Sequence, residues 1–160
     1  MQVWHASDVR IMPMQKVQEQ QDLRRTLLTV WHFDPARVVQ VGTDLLETAR
    51  ILEGGRWATE TDAKAYAFGA MFGRRSSDVW LVDVRTGERR KVLENVRQFY
   101  GGSATGQKLL WFDQGAYWTY EIASGRRTNL TERLGADFRN LNHDYPVDQL
   151  PPVGLSLIHI

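Results

Sequence analysis

The stretch from Asp78 to Thr131 carries one motif twice, and no other feature restricts the folds open to this chain as strongly. The first copy reads Asp78-Val-Trp-Leu-Val-Asp-Val-Arg-Thr-Gly87-Glu-Arg-Arg-Lys-Val-Leu93 and the second Ala116-Tyr-Trp-Thr-Tyr-Glu-Ile-Ala-Ser-Gly125-Arg-Arg-Thr-Asn-Leu-Thr131. Trp80 and Trp118 stand 38 residues apart, as do Gly87 and Gly125, and Val92 and Leu130. Each copy is an apolar run, a turn containing glycine and a second run of strand formers, which is the pattern of a hairpin. A period of roughly 40 residues built from short strands is the sequence mark of a β-propeller blade. Val79-Trp-Leu-Val and Tyr117-Trp-Thr-Tyr are apolar at every position or nearly so. A strand can be apolar on both faces when its sheet is sandwiched between two others.

The repeat predicts an all-β fold: a partial β-propeller of about two to three four-stranded antiparallel blades, with a short N-terminal helix. The propeller domain covers 1–154. It comprises a hairpin over 26–41 turned by Asp34-Pro-Ala, a blade over 49–93 and a more compact blade over 97–131, and Asp137 to Tyr145 is the candidate opening of a further blade. Val3-Trp4-His5 has strand character, and Met14 to Arg25 is rich in helix formers, with only Met14, Val17 and Leu23 available to face a core. A link from Asp62 to Ser77 separates the second and third strands of the first blade. Propellers close with about four to eight blades, and closure is what removes the sheet edges. The expectation is therefore a piece of a longer chain. Leu155-Ser-Leu-Ile-His-Ile breaks the pattern, resembles the translation of a sequencing adapter, and is set aside as a non-native tail over 155–160.

Composition narrows the function classes. A net charge of +1 recommends neither nucleic acid nor an acidic membrane surface as partner. The absence of cysteine excludes disulfides and thiolate metal sites and leaves the compartment, periplasm or cytoplasm, open. No apolar run approaches the ~20 residues of a membrane span, and Met1-Gln-Val-Trp-His has neither the basic start nor the apolar core of a signal peptide. With 42% apolar and 24% charged residues, the chain reads as a soluble globular protein rather than a disordered one.

Several segments together are similar to a known family. Asp8-Val-Arg-Ile-Met-Pro-Met-Gln-Lys-Val-Gln, Phe68-Gly-Ala-Met-Phe-Gly-Arg-Arg, Ser77-Asp-Val-Trp-Leu-Val-Asp-Val-Arg-Thr-Gly-Glu, Leu110-Trp-Phe-Asp, Tyr117-Trp-Thr-Tyr and Arg126-Arg-Thr-Asn-Leu-Thr resemble the propeller half of bacterial prolyl-oligopeptidase-family serine peptidases, of the dipeptidyl-peptidase N-terminal type. The resemblance covers about residues 1–154. It implies a propeller that caps a C-terminal α/β-hydrolase domain of the same parent chain, restricts access to a Ser-Asp-His triad and admits peptides. The matching catalytic positions would lie beyond Gly154, so this chain itself holds no catalytic residue and needs no cofactor. The alternative is a non-catalytic propeller, WD-like or TolB-like, that scaffolds protein partners.

The residues themselves carry little chemistry. Gly101-Gly-Ser103-Ala-Thr105 lacks the final glycine of a nucleophile elbow. Gly101 to Lys108 puts Gln107 where a phosphate-binding loop has its lysine, and a strand rather than a helix follows. His5, His32, His143 and His159 share no metal-ligand spacing. Arg74-Arg75, Arg89-Arg90-Lys91 and Arg126-Arg127 have acidic neighbours at Asp78, Glu88, Glu94 and Glu121, which reads as solvated outer strands. Asn129-Leu-Thr131 is a formal glycosylation acceptor near a strand end. Glu60, Asp62 and Asp144 are the candidate substrate-channel residues, since loops at one end of a rigid propeller carry its binding groups. Their alternative reading is a solvated strand end for Glu60 and Asp62, and for Asp144 a local polar pair with His143.

Overall fold

Strand, turn and strand alternate from Thr29 to Asn129, and the resulting fold is mostly β. The computed structural model describes residues 8, 10, 12–44, 47–142, 144, 147 and 149–153. A two-stranded sheet pairs β1 (Thr29–Phe33) with β2 (Ala36–Gln40). The next four strands, β3 (Thr48–Ile51), β4 (Trp57–Asp62), β5 (Ser77–Asp83) and β6 (Arg89–Val96), form an antiparallel meander in sequence order. A second meander follows, made of β7 (Gln98–Gly102), β8 (Lys108–Asp113), β9 (Ala116–Glu121) and β10 (Arg127–Asn129). One residue, Arg97, joins the two four-stranded sheets.

The motif repeated at an offset of 38 residues forms two hairpins, paired alike next to the turn. β5–β6 and β9–β10 are each closed by a turn whose glycine, Gly87 or Gly125, has φ of 80° or 71°. In both, the glycine N–H bonds back to the residue ending the first strand, Asp83 or Glu121, at 2.7 and 2.8 Å. A residue with a Cβ adopts this left-handed backbone only at a cost, which is why glycine recurs there. What breaks the period is the link between β4 and β5. It spans 63–76, whereas β8 and β9 are joined by Gln114 and Gly115 alone. The link folds as a 3₁₀ turn over Lys64–Tyr66 and a short helix α2 (Ala67–Ala70).

The sheets stack face to face. Val79 and Leu81 of β5 pack with Leu93 and Val96 against Leu109, Trp111, Tyr120 and Ile122 of the second meander. The opposite face of the same sheet sets Ala58, Val82 and Val84 against Val41, with Leu28 and Val30 of the hairpin alongside. β5 is thus buried on both sides, as its unbroken apolar run predicts. Beyond the second meander, Phe138 meets the Tyr117 ring edge-on and the Tyr117 hydroxyl donates to the Val153 carbonyl at 2.8 Å. The Arg139–Pro152 bridge holds that covering segment together.

Two faces stay uncovered. Trp31, Phe33 and Val38 form an exposed outer face on the hairpin, at 64%, 78% and 64% accessibility. The N-terminal helix α1 forms over Met12–Asp22, and Met14, Val17 and Leu23 are all exposed rather than turned to a core. Three apolar side chains on so polar a helix make too little apolar surface to fix a docking face. Val3-Trp4-His5, Tyr145 and the 155–160 tail lie outside the described residues.

Candidate functional site

One end of the two stacked sheets combines a buried polar cluster with two clefts. The strand registers place Asp62, Asp78, Ser77 and Val96 at the same end of the first meander. They place Gln98, Phe112, Asp113 and Ala116 at the matching end of the second. Arg97 sits between them.

Asp78 is the hub of the first sheet's end. Strand β6 carries extra residues there, and Asn95 takes a φ of 53° to accommodate them. The Asn95 N–H, diverted from the ladder, donates to Asp78 Oδ1 at 3.0 Å. The Tyr66 hydroxyl donates to the same oxygen at 2.6 Å, and Lys91 Nζ reaches Oδ2 at 2.7 Å. Burial works against the Asp78 charge, but Lys91, Tyr66 and the Asn95 N–H outweigh it and hold the carboxyl below its ordinary range. Through Tyr66 the cluster fastens the 63–76 link onto the sheet. Lys64, in the same link, is ion-paired to Asp44 at 2.8 Å and Glu47 at 3.1 Å.

Two clefts open beside this hub. The smaller, about 390 Å³, is lined by Tyr66, Phe68, Arg74, Asn95, Arg97 and Gln149. The larger, about 590 Å³, lies at the end of the second meander and is lined by Arg97, Gln98, Asp113, Gln114, Arg139 and Gln149, with Leu150 and Pro151. Arg97 and Gln149 line both, so the two clefts adjoin there; together they are the trough. Arg97 donates to the Gly73 carbonyl at 3.2 Å. Arg139 is held by Asp137 through contacts of 2.5 to 2.9 Å, which keep the Asp137 carboxyl below its usual range.

The three carboxylates singled out from the sequence fall in different places. Glu60 is fully buried between the hairpin and the first meander. Its Oε1 accepts from Thr43 N–H at 2.7 Å and Thr43 Oγ at 3.2 Å, and its Oε2 is ion-paired with Arg89. Burial pulls the Arg89 guanidinium below its ordinary pKa while Glu47 pulls it up, and the same side chain donates to the Val41 carbonyl at 3.4 Å. This carboxylate ties one layer to the next. Asp62 ends β4 opposite Asp78, and its Oδ1 caps the Lys64 N–H at 2.9 Å, starting the 63–76 link. Asp144 is exposed, and its sequence neighbour His143 lies outside the described residues, as do His5 and His159. His32 donates from Nε2 to the Val84 carbonyl at 2.9 Å, pinning the hairpin to the sheet. Asn129 turns its Oδ1 to Thr131, accepting from its N–H at 2.9 Å and its hydroxyl at 3.0 Å.

The sequence pointed to none of Arg97, Asn95 or Gln149. The second blade was expected to begin at Arg97, whereas the structure leaves Arg97 as the joint between β6 and β7. No group of three or more His, Asp or Glu side chains suited to a metal occurs among the described residues. Among them, too, no helix is long and apolar enough to cross a membrane. No protein-family model matches the chain, and no curated protein matches it.

Proposed function

We propose that this chain is part of the propeller of a prolyl-oligopeptidase-like serine peptidase, where it gates the approach of peptides to a catalytic domain elsewhere in the parent chain. The observation that carries the proposal is the serial stacking of two four-stranded antiparallel meanders joined by a single residue, the arrangement expected of consecutive blades. The apolar outer face of the hairpin adds support, since Trp31, Phe33 and Val38 suit the flank of a neighbouring sheet. The trough lies at one end of the stack, where a rigid propeller holds its binding loops. The peptidase assignment rests on the family-like segments.

A fluorophosphonate probe, which reacts with activated serine nucleophiles, tests the proposal. An antibody raised against this chain is used to isolate the parent protein from its source cells. The expected result is a labelled parent that cleaves short peptides, while the purified 160-residue chain takes no label and cleaves nothing. An unlabelled parent overturns the peptidase reading and leaves a binding scaffold. Hydrolysis by the chain alone overturns the claim that catalysis lies elsewhere.

A further inference from the structure

We infer that the trough centred on Arg97 binds an extended peptide segment by one of its carboxylates. The inference rests on the gating reading only in taking peptide as the occupant. Charge comes first. Arg74, Arg97 and Arg139 line the trough, with Asp113 as the acidic side chain among its walls. Arg139 is already gripped by Asp137, whereas the contact of Arg97 is with a neutral carbonyl, that of Gly73. A guanidinium presents paired N–H donors that match the two oxygens of a carboxylate.

The rest of the lining suits a peptide more than a small free anion. Gln98, Gln114, Gln149 and Asn95 lie along the walls. Their amides both donate and accept, as a peptide backbone requires. Phe68 in the smaller cleft and Leu150 and Pro151 in the larger offer apolar contact for flanking side chains. Arg97 is also well held. It is the single residue between β6 and β7, follows buried Val96, and is braced against the 63–76 link through Gly73. A charged group fixed by two sheets loses little freedom on binding.

Fluorescence anisotropy with the intact chain tests this, using peptides carrying an uncharged dye. The probes are acetyl-Ala-Ala-Glu-Ala-Ala-amide, its Gln counterpart, and acetyl-tetra-alanine with a free C-terminal carboxylate. An acidic peptide is expected to bind about tenfold tighter than the Gln peptide, the worth of one charge-assisted contact. Arg97→Gln abolishes the preference, Arg97→Lys keeps part of it, and Arg37→Gln on the distant hairpin leaves it intact. A preference for the Glu probe assigns a side-chain carboxylate, and a preference for the free-acid probe assigns a chain terminus. Equal binding of all three peptides, or a preference that survives Arg97→Gln, overturns the inference. Its failure is separable from that of the peptidase reading. A labelled parent with no Arg97 dependence sinks the trough alone, and Arg97-dependent binding with an unlabelled parent sinks the peptidase alone.

Discussion

Replacing Glu60 by alanine should destabilise the fold more than any other removal of a carboxylate. The side chain is fully buried and serves three groups: the Thr43 N–H, the Thr43 hydroxyl and the Arg89 guanidinium. Its loss returns the Thr43 N–H to water at little cost, because Thr43 is exposed. It strands Arg89, and breaking a buried ion pair typically costs about 3–5 kcal/mol. Arg89 keeps 24% of its side-chain surface accessible and recovers some hydration, so the lower end applies and the total is about 3 kcal/mol. In urea, where small domains change by about 1–3 kcal/mol per molar, the midpoint falls by at least about 1 M. Tryptophan fluorescence reports it, because Trp80 pairs with Glu60 across β4 and β5. Glu60→Gln preserves an acceptor for Thr43 and should cost about half as much. Glu60→Met combined with Arg89→Met should cost less than Glu60→Ala alone, since no unpaired charge is left behind. A Glu60→Ala protein within about 1 kcal/mol of the parent would refute the reasoning.

Two further outcomes concern pH. The folded pKa of Asp78 lies below its unfolded value of about 3.9, so its contribution is present above that value and is lost as pH falls through the folded pKa. The urea midpoint should therefore hold from pH 7 to about 5 and drop below about 4, and Asp78→Asn should shrink that drop. An unchanged drop would contradict the Asp78 contribution and leave the drop to the other lowered carboxyls, Asp83, Glu121 and Asp137. At the alkaline end, burial first and then Tyr100 raise the Tyr117 phenol to about 12. Its contribution is full below the ordinary value of about 10 and is lost as pH rises through about 12. Tyr117→Phe should shrink the late step of the absorbance titration at about 295 nm and cost about 1 kcal/mol with the lost bond to Val153. The Tyr66 phenol, raised by its hydrogen bond to Asp78, also titrates late, so a late amplitude that does not shrink in Tyr117→Phe would contradict the burial of Tyr117.

The strands were legible because their signals are local. The blade expected over 97–131 contains the four strands β7 to β10, and the glycine turns at 87 and 125 fix β5–β6 and β9–β10. The helix at 67–70 was not, because Phe68, Met71 and Phe72 follow no clear period and lie exposed. The β6 extension to Val96 was missed for a related reason. The bulge that admits Asn95 is set by the side chain of Asp78, 17 residues earlier. Glu60 was read as a channel group or a solvated strand end, and its burial was not legible because its partners Thr43 and Arg89 come from other segments. The trough is assembled from six stretches between Ala65 and Pro151, and no spacing within one of them announces it.

Long-read sequencing of the source gene through and beyond codon 154 tests the propeller assignment most directly. A gating propeller predicts a frame that continues with further four-stranded repeats and then a Gly-x-Ser-x-Gly elbow, with Asp and His downstream in that order. Further repeats that end without an elbow would contradict the peptidase. A frame that stops at once after Ile160 would contradict the propeller itself, since the exposed Trp31, Phe33 and Val38 face would then have no neighbouring blade to cover it.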